Sequence, residues 1–203
     1  MMNILVKQQI NKISQIALVA MVGVTLLSSC VTALVAGAVI ATVDIIHDRR
    51  SAGEYVDDNT IELTAQNYLI STKALRAGVH VKPVSWNGIF LITGEIDRES
   101  TKQEVIARLN AISGVRQLVD ETTITGKTAM LARTNDSWIT SKVKTSLLVK
   151  TGLDANRVKV ITTNGSVYLM GIVTREEGQR AADLARKVKG VARVVKVFEY
   201  TEN

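Results

Sequence analysis

The feature that most limits what this chain can fold into is a duplication. Asn87-Gly88 is followed by Gly94, and Asn164-Gly165 by Gly171, the same spacing at an offset of 77 residues. Gly114-Val115 answers Gly190-Val191 at an offset of 76, so a single one-residue length change separates the copies. A period of this kind means one supersecondary unit used twice. Within each unit, Asn-Gly between apolar runs is a strong hairpin signal, because the tight turn that suits two twisted strands needs positive φ at both residues.

The rest of each unit reads alike. A first helix opens at a hydroxyl N-cap, Thr60 in copy one and Ser137 in copy two. Strands at about 79–84 and 89–94, and at 157–162 and 167–171, flank the two turns. A second helix follows at 98–112, with Val105, Ile106, Leu109 and Ile112 on one face. Its counterpart at 175–188 carries Ala181, Ala185 and Val188. Last strands lie near 115–124 and 191–200. The order is αββαβ, twice. The expected fold class is α+β, each unit a three-stranded mixed sheet with two helices on one face. In the last strand Val191, Arg193, Val195 and Val197 alternate with Ala192, Val194, Lys196 and Phe198. Both faces are therefore partly apolar, and the second face packs either on the other copy or on the segment before the first helix.

Composition sets the scale. Aromatic residues make up 4% of the 203 residues, so any core is built mainly from Val, Ile, Leu and Ala. Two units of roughly 65 residues each sit near the lower limit for independent folding. There is one cysteine, Cys30, so no internal disulfide can help them.

Cys30 has another use. Lys7 and Lys12 form a positive start, an apolar run follows from Ile16 to Leu27, and Leu27-Ser28-Ser29-Cys30 resembles a bacterial lipobox. The resemblance implies removal of residues 1–29 and attachment of a diacylglycerol and an N-acyl chain to Cys30, with no other cofactor. Several acyl chains anchor a protein firmly where one does not. The alternative is an uncleaved span, since apolar character continues to Ile46, 31 residues from Ile16, against the roughly 20 a span needs. Val31, where an Asp would favour retention in the inner membrane, points by the same resemblance to the outer membrane. Residues 30–58 are then a lipidated N-terminus and tether, 59–125 the first domain, 126–134 a linker and 135–203 the second domain. Without the two leader lysines the balance is 23 basic to 19 acidic residues, mildly basic and no argument for nucleic acid.

Residues 164–171 (Asn-Gly-Ser-Val-Tyr-Leu-Met-Gly) and 190–194 (Gly-Val-Ala-Arg-Val), with weaker copies at 87–94 and 114–119, resemble the BON domain. Two such units behind a lipobox resemble the dual-BON outer-membrane lipoproteins, and residues 135–143 are close to the first helix of their second domain. The resemblance implies a non-enzymatic protein on the periplasmic face that supports envelope integrity. It implies binding of anionic phospholipid, phosphatidylglycerol or cardiolipin, through that helix, and gathering at division sites. The alternative function is a protein–protein scaffold for envelope assembly or cell-wall remodelling, with envelope or division proteins as partners.

Local chemistry bears on the same helix. Ile61, Ala65 and Leu69 match Ile139, Val143 and Leu147 as core stripes, which leaves Trp138 beside the stripe with Lys142 one turn on. An indole suits the interfacial zone of a bilayer, and each Lys near an anionic surface adds about 1 kcal/mol. Copy one has no such Trp. The candidate lipid contacts are Trp138, Ile139, Lys142 and Lys144. The other readings of Trp138 are a lid on its own core or a filler between the domains, and Trp86 reads as a packing or turn-edge residue. Arg175, Arg180, Arg186, Lys187 and Lys189 read as a solvated face. His47 and His80 fit no metal-ligand spacing, and no nucleophile elbow or phosphate loop occurs. Asp57-Asp58 and Glu176-Glu177 read as residues that cap or precede helices.

Overall fold

Both Asn-Gly pairs form the turn they encode. Asn87 and Gly88 have φ of 52° and 71°, and Asn164 and Gly165 have 50° and 74°, the double positive value of a type I′ hairpin turn. The computed structural model describes residues 49–75, 78–125, 130–150 and 157–202. In chain order the elements are α1 (Ala52–Ser71), β1 (Val79–Trp86), β2 (Ile89–Ile96), α2 (Glu99–Asn110), β3 (Gln117–Ile124), α3 (Met130–Lys150), β4 (Lys159–Thr163), β5 (Ser166–Val173), α4 (Arg175–Arg186) and β6 (Arg193–Tyr200). The leader, Cys30, the tether up to residue 48 and linker residues 126–129 lie outside the described residues.

Each unit has one mixed sheet. β2 pairs antiparallel with β1 and parallel with β3, and β5 pairs likewise with β4 and β6. A parallel pair needs a crossover, which α2 and α4 supply. The glycine that closes each spacing has a steric reason. A Cβ at Gly94 would run into the carbonyl oxygen of His80, and one at Gly171 into that of Arg157.

The helices of each unit cover one sheet face. Ile61 and Ala65 of α1 and Val105 and Leu109 of α2 close on Phe90, Ile92 and Ile96. Ile139, Val143 and Leu147 of α3 and Ala181, Ala182 and Ala185 of α4 close on Val160, Val167, Leu169 and Val173. The architecture is thus α+β with mixed three-stranded sheets.

The first helices begin earlier than their expected caps. Ser51, not Thr60, caps α1: its hydroxyl accepts from Glu54 N at 3.1 Å while Glu54 Oε2 accepts from Ser51 N at 2.6 Å. This is a capping box, which satisfies two orphan amides at once. Thr60 lies inside α1 with its hydroxyl donating to Val56 O, and Ser137 lies inside α3. Hydroxyl residues can return their O–H to the carbonyl four residues back, so one standing before an apolar stripe does not by itself mark a start.

The second sheet faces pack on each other. Val84, Trp86 and Leu91 of the first unit meet Ile161, Tyr168, Met170 and Val197 of the second in one buried cluster. This decides between the two readings of that face in favour of the other copy, and it places Trp86 as a packing residue. Polar contacts ring the cluster. The side-chain amide of each turn asparagine donates to a glutamate of the other unit, Asn87 to Glu199 and Asn164 to Glu95, both at 2.7 Å. Arg116–Glu199 and Arg193–Glu121 span the units at 2.6 Å, and Lys159–Glu62 at 2.9 Å. Partly exposed ion pairs contribute about 0–1 kcal/mol each, against roughly 1.5–3 kcal/mol for burying one large apolar side chain. The apolar cluster therefore dominates the join, and His47–Asn203 form one compact unit.

Candidate functional site

Two arrangements repeat between the copies and differ in chemistry. The first is beneath the Asn-Gly turns. Asp58, in the second turn of α1, accepts from Asn87 N (2.7 Å), Gly88 N (2.9 Å) and Ser85 Oγ (2.6 Å). Arg50 Nη1 adds an ion pair at 2.7 Å, and its guanidinium lies 3.7 Å from the Trp86 ring centroid. Burial alone would raise the Asp58 pKa. The hydrogen bonds from Gly88, Ser85, Arg50 and Asn87 outweigh it and hold the carboxyl below its ordinary value. Asp136 of α3 does the same for the second turn, accepting from Asn164 N (2.7 Å) and Gly165 N (2.8 Å). Asp58 therefore neither caps nor precedes a helix; it ties α1 to the hairpin. Glu177 does serve at a helix start, closing a capping box with Thr174 and pairing with Arg49 at 2.9 Å.

The second arrangement lies along the outer edge of the first helices. On α3, Trp138 is 45% exposed, and the Lys142 ammonium sits 3.6 Å from its ring centroid, a cation–π pair one helical turn apart. The other edge of the indole approaches the turn after α4: a Cβ on Gly190 would lie 3.8 Å from Trp138 Cζ3. Trp138 is thus outside the cluster between the units, and close to half of it faces solvent. A shallow groove runs between this edge of α3, including Val149, and Val188-Lys189. Val149 is 75% exposed.

The structure corrects one candidate and separates another. Ile139 is 0% exposed and belongs to the core of the second unit, so it offers no surface to a lipid. Its place in the i, i+4, i+8 stripe with Val143 and Leu147 is the reason. Lys144 is exposed, but six residues at 100° each put it about 120° round the helix from Trp138. Trp138 and Lys142 are brought together, and Lys144 is not part of that pair. Lys189, which reads in sequence as one of a scatter of solvated charges, borders the groove. Its signal in the sequence is only its position beside the repeated Gly-Val.

The same groove exists on the first unit with other residues. It is bordered by Thr60, Thr64 and Tyr68 of α1 and by Arg108, Ile112 and Ser113. By the helix offset, Thr60 and Thr64 stand where Trp138 and Lys142 do. Among the described residues, no helix is long and apolar enough to cross a membrane.

The BON domain family matches residues 135–202. The chain is 34% identical over 186 residues to the outer membrane lipoprotein DolP of Haemophilus influenzae, covering 91% of this chain and 96% of that one. It is 33% identical over 155 residues to a 21 kDa hemolysin of Actinobacillus pleuropneumoniae, covering 76% and 80%. It is 23% identical over 145 residues to the osmotically-inducible protein Y of Escherichia coli, covering 70% and 72%. With near full-length coverage and a BON domain in its second half, the chain belongs to the family of the outer-membrane lipoprotein DolP.

Proposed function

We propose that this is a non-enzymatic lipoprotein, held at the periplasmic face of the outer membrane by acyl chains on Cys30, whose second domain binds anionic phospholipid. In this reading both units are BON domains in tandem, at 59–125 and 135–203. Phosphatidylglycerol and cardiolipin are the lipids, and α3 is the contact. The protein then supports envelope integrity, at division sites where such lipids gather. The observation that carries the reading is the exposed Trp138 with the Lys142 ammonium against its ring. An indole half in solvent prefers the headgroup layer of a bilayer, and the ammonium beside it favours an anionic one. Lys144 adds charge further round the helix. The mildly basic balance of the mature chain, 23 residues to 19, agrees in sign.

The test is vesicle flotation with protein lacking residues 1–30. Binding is expected to vesicles containing phosphatidylglycerol or cardiolipin and not to phosphatidylcholine alone. Trp138→Glu abolishes it while far-ultraviolet circular dichroism is unchanged. Undiminished binding by a folded Trp138→Glu protein would remove α3 as the contact. Absence of any lipid preference, together with a co-purifying envelope protein, would favour a scaffold instead.

A further inference from the structure

The join between the units is built from equivalent residues at its two ends, and one end is open. Strand pairing is the same in both sheets: Lys82 lies opposite Thr93 and Lys159 opposite Met170, an offset of 77 on each strand. Trp86 and Met170 pack in the apolar cluster, and their counterparts, Thr163 and Thr93, share a hydrogen bond at 3.0 Å. At the closed end Glu62 of α1 stands between the units. Its Oε1 accepts from Ser85 N in its own unit at 2.8 Å and from Lys159 Nζ of the other at 2.9 Å. By the strand and helix offsets, the counterparts of Glu62, Ser85 and Lys159 are Thr140, Thr162 and Lys82. All three line a cavity of about 870 Å³. A hydroxyl stands there in place of the carboxylate. Lys82 is exposed and makes no ion pair among the described residues.

The cavity also runs along a strand edge. Val79, His80, Val81 and Lys82, successive residues of β1, line it. Successive side chains of a strand point to opposite faces, so a cavity that meets all of these meets the backbone edge between them. β1 is an edge strand, paired only with β2. Ser85 N points away from β2, as its bond to Glu62 shows, and two-residue alternation puts the N–H groups of Val79 and Val81 on the same free edge. The same register in β4 turns the Thr162 N–H outward beside Thr140. Leu69 and Ile70 of α1 add apolar surface. The carboxylates bordering the cavity are engaged in the fold: Glu95 accepts from Asn164 Nδ2 at 2.7 Å, and Asp136 takes the two turn amides.

We infer that this cavity binds an extended acidic peptide segment of a partner protein. One glutamate side chain of that segment takes the place between Lys82 and the Thr162 N–H that Glu62 holds between Lys159 and Ser85 N. Charge-assisted hydrogen bonds to such a carboxylate are the stronger kind. The peptide backbone lies along the free edge of β1 as an added strand, with an apolar side chain on Leu69 and Ile70. A volume within the roughly 300–1,000 Å³ of ligand sites holds several residues rather than one carboxylate. The fold does not require an unpaired lysine here, because the equivalent Lys159 is paired in the same molecule. The inference stands apart from the lipid reading, since the cavity shares no residue with the groove beside Trp138.

The mature lipidated chain in neutral detergent micelles is titrated into a fluorescein-labelled peptide of sequence Val-Thr-Val-Glu-Val-Thr, and fluorescence anisotropy is followed. Lys82→Gln is expected to weaken binding roughly tenfold, as loss of a charge-assisted hydrogen bond does, and so is Gln in place of Glu in the peptide. Thr140→Glu, which supplies the carboxylate from α3 itself, blocks binding while far-ultraviolet circular dichroism is unchanged. Arg180→Gln, which removes a charge from the exposed side of α4, changes binding by less than about twofold. Lys82→Gln behaving like Arg180→Gln, or equal binding of the two peptides, overturns the carboxylate site. So does the absence of binding by the unaltered chain up to about 1 mM. Free glutarate that competes as well as the unlabelled peptide overturns the added strand, and with it a peptide as the occupant.

Discussion

The two units share a topology and a turn, yet they hold that turn with different strength. Under the first, Asp58 is buried and shared between two backbone amides, a serine hydroxyl and Arg50, whose guanidinium is itself pressed on Trp86. Under the second, Asp136 takes the two turn amides from a half-buried position. On the outer helix edge the contrast runs the other way. The first unit presents Thr60 and Thr64, and the second presents a tryptophan and a lysine. One copy thus concentrates buried polar structure beneath its turn, and the other carries an exposed indole with an ammonium against its ring where the first has Thr60 and Thr64, beside Tyr68 and Arg108.

The largest expected effect tests the first half of that contrast. Asp58→Ala removes the acceptor shared by two turn amides and the Ser85 hydroxyl and breaks the buried ion pair to Arg50, a loss of about 3–5 kcal/mol. Asp136→Ala removes only turn hydrogen bonds, about 1–3 kcal/mol. Urea unfolding of the two variants measures both, and equal losses would erase the distinction. The same carboxylate sets a pH dependence. Its folded-state pKa lies below the unfolded one, so its stabilisation is complete above the ordinary carboxylate range. It is lost as pH falls through the depressed value. Asp58→Asn should flatten the acid side of a stability–pH curve.

Next in size is the join between the units. Met170, fully buried between the sheets, should cost about 2–5 kcal/mol when replaced by alanine. Because it faces the first unit rather than its own helices, that variant should lower the melting of both units together. Two separated transitions would show that they unfold independently.

The outer edges are compared by vesicle binding. Thr60→Glu on α1 is expected to leave binding to phosphatidylglycerol vesicles unaltered, where the same charge placed at Trp138 abolishes it. Equal losses would mean that the field of the whole molecule matters rather than the helix edge. The smallest effect is expected from Lys144→Gln. Being about 120° from Trp138, it should weaken binding by no more than about 1 kcal/mol, seen as a shift in the vesicle titration midpoint.

Much of the fold could be read from short-range pattern. Asn-Gly encodes its turn because few residues accept positive φ twice in succession. The i, i+4, i+8 stripe of Ile139, Val143 and Leu147 marks the core face, and the same stripe excludes Ile139 as a surface contact. The helix starts are not legible locally, because Thr60 and Ser137 look like caps while Ser51 stands well before any apolar stripe begins. The role of Asp58 is not legible either, because its partners, Ser85, Asn87 and Gly88, lie some thirty residues on and signal nothing nearby. Part of the candidate site was visible, since a tryptophan off the stripe is conspicuous. Lys189 was not, because a lysine among arginines and lysines looks like solvent-facing charge.

By itself the sequence determined the repeat, its two turns, the helix stripes and the presence of a basic, tryptophan-bearing edge on one copy. These follow from steric limits on φ and from the 3.6-residue and two-residue periods, which act over a few residues. Only the tertiary structure decided that the second sheet faces pack on each other, that Asp58 and Asp136 fasten helices to hairpins, and that Lys189 borders the groove of Trp138. Those contacts join residues far apart in the chain. Their free energy comes from burying apolar faces whose partner no local pattern can name.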